Sequence, residues 1–356
     1  MTSITKVWKM NQKTKICVLH GAISNAGDFL IYERGKKLLQ SFFGDNIDFS
    51  YKLRSKPING NFDGLIILGG PLISRKIRPQ VKNMIEYIKD KEIPCTCIGL
   101  GISGEKFDSN KDYFLDYESI CFWKYVYETS KLFSVRDKIT RDVLKNYGIK
   151  PELTGCPALF NLESDKAFPK NNIKKINKII ISIPDLTVKS YSSVKPFLVT
   201  LNFLYILKRK FCEEELGIIF QHGYSIPQQI IKKLADMVGI KTYNVSGKSL
   251  DSFAELYEYD VHIGTRLHSH IFFLSLNKPS FLFNVDMRTE AFLKTIGTPS
   301  DTYTISGIRN LIDMLEERIA KNDFDEFHGV PHEIKRFYVI MESFLNETLL
   351  FYNMCD

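Results

Sequence analysis

The sequence predicts an α/β protein of two doubly wound domains, each a parallel sheet covered by helices on both faces. Three observations carry this expectation. The chain has 356 residues, more than the roughly 250–300 at which a single hydrophobic core stops growing. From Lys15 onward short apolar runs alternate with longer amphipathic stretches, as strands joined by crossover helices do. The alternation breaks once, at residues 161–178, where Pro169, Asn171 and Asn172 sit in a polar segment with neither helical nor strand periodicity. Domains are therefore expected over 1–165 and 175–325, with 326–356 a closing helix that packs back on the first domain.

In the first half, strands are expected at 15–19, 64–68, 94–98 and 132–135. Each is a short, almost continuous apolar run, as a strand buried on both faces requires. Helices are expected at 29–42, 80–89 and 137–147, the last with Asp137 placed to cap its start and Gly148 to end it. In the second half, strands are expected at 178–183, 217–220, 241–245, 260–263 and 280–285. Helical spacing fills 194–212, 226–237, 251–257, 267–276 and 288–296, and two more helices near 308–320 and 332–352 close the chain.

Composition narrows the function classes. Hydrophobic residues make up 44% and charged residues 25%, an ordinary globular balance. Residues 1–15 are polar and basic, without the apolar core of a signal peptide. No apolar run approaches the roughly 20 residues of a membrane span. A cytoplasmic protein is expected, attached at most peripherally to the inner face of a membrane. The seven cysteines read as reduced thiols, and no Cys/His spacing or acidic cluster suggests a metal site. The net charge of +7 is spread out, with clusters at Arg75, Lys76, Arg78 and at Lys208, Arg209, Lys210. These read as solvated faces, the alternative being an anionic substrate or membrane surface. Nothing resembles a nucleic-acid-binding signature.

In open parallel sheets ligands bind beyond the carboxyl ends of the strands, where helix N-termini present free N–H groups. That rule selects His20 to Asp28, including Asn25 and Asp28, then Gly69 to Pro71, including Gly70, Gly99 to Gly104, Ser134 to Asp137, including Arg136, Pro184 to Asp185, the loop from Gln221 to Tyr224 holding His222, Gly264 to His270, and Asn284 to Arg288. The segment from Gly264 to His270 is the densest, with Arg266, His268 and His270 at one strand-to-helix turn. Thr265 is suited to cap the helix, and Arg266 and His268 would sit at its positive end, where an anion is favoured. Each residue also has a plainer reading, as an ion pair or a packed histidine. Gly99-Leu100-Gly101-Ile102-Ser103-Gly104 satisfies the dinucleotide-binding pattern. The polar stretch behind it gives no apolar helical stripe, so a nucleotide cofactor is not expected.

These residues resemble the polysaccharide pyruvyl transferase family. The similarity runs from Gly21-Ala22-Ile23-Ser24-Asn25-Ala26-Gly27-Asp28 through Leu68-Gly69-Gly70 and Ser134-Val135-Arg136-Asp137. It is strongest at Asp260-Val261-His262-Ile263-Gly264-Thr265-Arg266-Leu267-His268-Ser269-His270, followed by Asn277-Lys278-Pro279. Pro71, Cys156-Pro157 and the segment from Asn284 to Arg288 depart from the family pattern. The resemblance implies two Rossmann-like halves facing a cleft, as in the second major glycosyltransferase architecture, with the first half on the acceptor side and the second on the donor side. It implies phosphoenolpyruvate as donor substrate, no cofactor, and a glycan or lipid-linked glycan as acceptor. Arg266, Leu267 and His268 would line the donor site, with Arg136 as a further candidate.

Such a reaction needs groups that hold a carboxylate and a phosphate and groups that give and take protons. Arg266 suits the first need, and His268, titrating near neutrality, or Asp28 suits the second. Asn25, Gly69, Gly70, His222 and His270 complete the candidate substrate-binding set. Two other classes share these features: a nucleotide-sugar-dependent glycosyltransferase of the same architecture, and a non-catalytic binding relative.

Overall fold

The computed structural model describes residues 13–44, 47–104, 113–162, 175–186, 195–221, 223, 225–247 and 249–354. Most of the segment expected to link the domains, and His222, lie outside the described residues. In the first half, the strands are β1 (Thr14–His20), β2 (Ile47–Leu53), β3 (Gly64–Leu68), β4 (Ile73–Ser74), β5 (Cys95–Leu100), β6 (Ile102–Ser103), β7 (Phe133–Val135) and β8 (Glu152–Leu153). They alternate with helices α1 (Ala26–Phe43), α2 (Pro79–Lys91), α3 (Tyr117–Ser130) and α4 (Lys138–Lys145). Asp137 caps α4 as its position suggests, accepting from the Thr140 N–H at 2.7 Å.

The second half contains β9 (Lys178–Ser182), β10 (Glu215–Phe220), β11 (Lys241–Asn244), β12 (Val261–Gly264), β13 (Ser280–Asn284) and β14 (Ser300–Thr302). Its helices are α5 (Lys195–Lys210), α6 (Ile226–Met237), α7 (Leu267–Ser275), α8 (Met287–Ile296), α9 (Ile305–Lys321) and α10 (Val330–Met354). The stretch expected as a helix at 251–257 is a 3-10 segment, Leu250–Glu258.

Two parallel six-stranded sheets result, in the orders β2-β1-β3-β5-β7-β8 and β11-β10-β9-β12-β13-β14, with β4 and β6 paired apart. The central strands are apolar on both faces. Leu65 to Ile67 in β3 and Ile179 to Ile181 in β9 have no exposed surface, as helices on either side require. The strand order reverses between β1 and β3 in one sheet and between β9 and β12 in the other. At such switch points neighbouring loops diverge and leave a crevice.

The two halves meet through these loops. The Gly247 N–H donates to Ser24 O at 2.7 Å, the Met287 N–H to Gly104 O at 3.3 Å, and the Lys138 N–H to Thr295 Oγ1 at 2.9 Å. Helix α10 reaches the first sheet, where Tyr352 Oη donates to Leu65 O at 2.7 Å. Among the described residues no helix is long and apolar enough to cross a membrane.

Candidate active site

The turn after β12 is held from below by a buried hydrogen-bond chain. The Thr265 N–H donates to Ser182 O and the Arg266 N–H to Ser182 Oγ, both at 3.0 Å. Ser182 Oγ meets His262 Nε2 at 2.8 Å, His262 Nδ1 meets Ser280 Oγ at 2.7 Å, and Ser280 Oγ meets His270 Nδ1 at 2.7 Å. His270 Nε2 closes the chain on Thr298 Oγ1 at 3.0 Å. With both rings neutral, each ring can accept from one hydroxyl of the chain and donate to the next, so all four ring nitrogens are satisfied. Burial lowers both histidines, His270 to about 3.

This changes the expectation for His270. Both of its ring nitrogens have protein partners and the residue is fully buried, so its contacts tie α7 to β13 rather than face a ligand. The cap also shifts by one residue. Arg266, not Thr265, takes the N-cap position of α7, with no side-chain cap bond. Its guanidinium is anchored through Nε to Ile183 O at 2.8 Å. Leu267 and His268 form the first turn, and Leu267 is buried.

His268 projects across to the first half and packs on the start of α1. The ring lies against Gly27, where any Cβ would overlap it. Asn25 sets that helix start, its Oδ1 accepting from the Gly27 N–H at 3.1 Å. Nε2 of His268 is buried with no hydrogen-bond partner among the described residues. Burial, then Arg136 and Arg288, lower its pKa to about 3. The near-neutral titration expected of His268 therefore does not hold, because a ring out of water beside two cations stays neutral.

Arg136, from the end of β7, is almost completely buried. Its Nε contacts Asp137 at 3.4 Å, while both terminal nitrogens are buried without a hydrogen-bond partner among the described residues. The ion-pair and ligand readings of Arg136 thus apply to different atoms of one guanidinium. Gly101 makes room for it, since a Cβ there would fall 2.0 Å from Arg136 Nε. In the Gly99 to Gly104 segment, the structure shows β5 running into β6 around this arginine.

Asp28 follows Gly27 in the first turn of α1. Burial raises its carboxyl, against the pull of Arg54, Arg288, Arg136 and Arg78. Two of these arginines, Arg54 and Arg78, were not among the candidates. Arg54 follows β2, Arg78 comes from a cluster that reads as a solvated face, and Arg288 is paired with Asp286 at 2.5 Å. Gly69 and Gly70 lie on the same side, Gly69 O accepting from Arg54 at 3.1 Å. The structure thus brings together Asn25, Asp28, Gly69, Gly70, Arg136, Arg266, Leu267 and His268 at the facing loops, and sets His270 beneath them.

Comparison with known proteins agrees with this architecture. The family model for polysaccharide pyruvyl transferase matches residues 25–287, well over half the chain, and the chain belongs to that family. No curated protein sequence matches it. Among solved structures, the S. aureus MnaA–UDP co-structure is similar at 13% identity and a TM-score of 0.61, covering 96% of this chain and 97% of that one. Methanocaldococcus jannaschii UDP-GlcNAc 2-epimerase in complex with UDP-GlcNAc and UDP is similar at 11% identity and a TM-score of 0.55, covering 92% and 99%. The apo lipopolysaccharide outer core galactosyltransferase WaaB is similar at 10% identity and 0.53, covering 95% and 99%. At these identities the likeness is one of fold: two Rossmann-like domains in the glycosyltransferase-B-like arrangement.

Proposed function

We propose that this member of the polysaccharide pyruvyl transferase family moves the pyruvyl group of phosphoenolpyruvate onto two hydroxyls of a sugar, in a glycan or its lipid-linked precursor, to form a pyruvate ketal. The supporting observation is a buried guanidinium, on Arg136, whose terminal nitrogens have no hydrogen-bond partner among the described residues, together with the Nε2 of His268, which is held neutral and likewise has none among them. A ligand that is anionic at one end and releases a proton nearby would satisfy both groups.

Atoms and charges balance as follows. A proton is added to the methylene carbon of the donor, and the electron-deficient C2 is attacked by one sugar hydroxyl, which loses its proton. The C2–O bond to phosphate breaks, phosphate leaves, and a second hydroxyl attacks and loses its proton. One proton enters the new methyl group and the other leaves with phosphate.

Environments that push two titratable groups in opposite directions divide such labour. Asp28, raised by burial, is assigned the proton donated to carbon. His268, held neutral, is assigned the hydroxyl proton. Arg136 and Arg266 hold the donor's charge, and water-poor surroundings strengthen these contacts. The acceptor is assigned to the first-half side of the cleft. No cofactor or metal enters this scheme.

Thermal melts with phosphoenolpyruvate, together with phosphate release in the presence of a sugar diol, test the proposal. Ligand at about 100 times its Kd should stabilise the fold by about 2.7 kcal/mol. Stabilisation by nucleotide sugars and not by phosphoenolpyruvate would sink the reading in favour of a glycosyltransferase.

A further inference from the structure

We propose that Arg54 and Arg78 form a phosphoryl-binding site on the first-half side of the cleft, across Asp28 from His268. Nothing in the local sequence marks Arg54, and Arg78 belongs to a basic cluster that reads as a solvated face. Their placement marks them. Arg54 leaves the end of β2, with its N–H donating to His20 O at 2.9 Å. It runs inward and is about nine-tenths buried, at 8% exposure. Two glycines make its channel: a Cβ on Gly21 would fall 2.2 Å from one terminal nitrogen, and a Cβ on Gly70 would fall 2.6 Å from the other. Gly70 also has a φ of +88°, which a side chain would resist. The loops after β1 and β3, which flank the switch point of the first sheet, are thus built around a guanidinium.

Arg78 approaches from the N-cap position of α2, and its guanidinium donates to the Ser103 hydroxyl. Arg78 is close enough to Arg54 to oppose its charge, and Arg288 opposes the charge on Arg78. Burial disfavours both charges as well. Like charges brought together out of water cost free energy unless an anion joins them.

Arg288 is paired with Asp286, while the acid that acts on both Arg54 and Arg78 among the described residues is Asp28. Burial favours the neutral form of that carboxyl. Two guanidiniums facing one carboxyl whose charge burial opposes match a dianion with several oxygens. A monoanionic carboxylate would be met by a single bidentate arginine and would leave the second unpaired. The first turn of α1, beside Asp28, adds the positive end of an 18-residue helix.

A phosphoryl group could come from two sources, the leaving group of the donor or a phosphate that links the acceptor sugar to its carrier. The test begins with inorganic phosphate, which belongs to neither. Phosphate should bind saturably to the full chain, read by thermal stabilisation and by calorimetry. Arg78→Gln should weaken it about ten- to hundredfold, the cost of losing charge-assisted hydrogen bonds, while pyruvate binding changes less. Lys76→Gln, at an exposed neighbour, should leave phosphate binding unchanged. Arg78 is only partly buried, so its variant tests the site even where Arg54→Gln fails to fold.

Kinetics then separates the sources. A raised KM for phosphoenolpyruvate in Arg78→Gln assigns the site to the donor's phosphate. A raised KM for a phosphate-linked acceptor, with that for phosphoenolpyruvate unchanged, assigns it to the acceptor. Folded Arg78→Gln with wild-type phosphate affinity overturns the proposal. Phosphate binding that depends on Arg78 in a protein that does not turn over phosphoenolpyruvate would leave the site standing and remove the donor assignment instead.

Discussion

The ring of His268 lies so close to Gly27 that a Cβ built on the glycine would fall 2.1 Å from Nδ1. This contact joins the first turn of α7 in one half to the first turn of α1 in the other. It fixes the imidazole relative to Asp28, the next residue along. Gly27→Ala should therefore push the ring aside or draw the two helices apart. Misplacing a reacting group by about 1 Å can cost on the order of 100-fold in rate. We expect kcat to fall at least tenfold in Gly27→Ala, with a far smaller change in melting temperature. Turnover within twofold of the parent protein would show that the contact is packing alone.

The opposite environments of Asp28 and His268 predict opposite failures. Asp28→Asn keeps the shape and removes the proton assigned to carbon, so turnover should drop about 100-fold or more. Donor binding should hold, because the amide replaces a carboxyl whose neutral form burial already favours. The alkaline limb of the rate profile, where the raised carboxyl ionises, should disappear. Weaker donor binding, with that limb intact, would remove Asp28 from the proton path.

His268→Gln should also lower turnover about 100-fold while donor affinity changes less. With the ring already neutral down to about pH 3, the parent protein should show no limb from this residue between pH 5 and pH 8. An acid limb near pH 6.5 that vanishes in His268→Gln would mean that the ring titrates as an exposed histidine does.

Arg136 separates a structural from a ligand-binding role. Arg136→Lys keeps one positive charge but loses the planar fork. Donor affinity should fall at least tenfold, by the change in concentration needed for thermal stabilisation. Unchanged affinity would assign the guanidinium to its contact with Asp137.

What was legible in the sequence depended on whether the determinants were neighbours along the chain. The turn from Gly264 to His270 carries its residues consecutively on one strand and one helix, so motif and placement coincide. Arg54 and Arg78 come from separate loops, and only the fold brings them near one another, Arg54 between Gly21 and Gly70 and Arg78 at Ser103. Strand β2 reads Ile-Asp-Phe-Ser-Tyr-Lys-Leu, the alternation of an edge strand, and is hidden from a search for continuous apolar runs. Strand β14 is three residues, Ser-Asp-Thr, with no apolar signal. His270 reads as a candidate because it shares one strand-to-helix turn with Arg266 and His268. All nine residues of α7 are buried, and a helix enclosed on every side offers no open face.

The buried histidines predict an acid-sensitive fold. His268 and His270 are lowered to about 3 and His20 to about 4, each chiefly by burial, from an unfolded value near 6.5. A histidine held neutral in the fold binds its proton more readily when unfolded. Its contribution is therefore fully present above about pH 6.5 and is lost as pH falls through the window down to the folded value. Each such group can add a slope of about 1.4 kcal/mol per pH unit within that window. Asp28 and Asp137, both raised by burial, act in the opposite sense, gaining stability as pH falls toward the carboxylate range. Between pH 6.5 and about 5 the three histidines outnumber the two acids, so stability should fall on balance there. Denaturant unfolding at pH 7.5, 6.5, 5.5 and 5.0 should show stability falling across the last three. Ser280→Ala sharpens the test, because Ser280 is the one hydroxyl shared by His262 and His270. Losing it leaves two ring nitrogens unsatisfied and should cost about 1–3 kcal/mol at pH 7.5. Stability that is flat from pH 7.5 to 5.0 in the parent chain would mean that these rings are not held neutral by the fold.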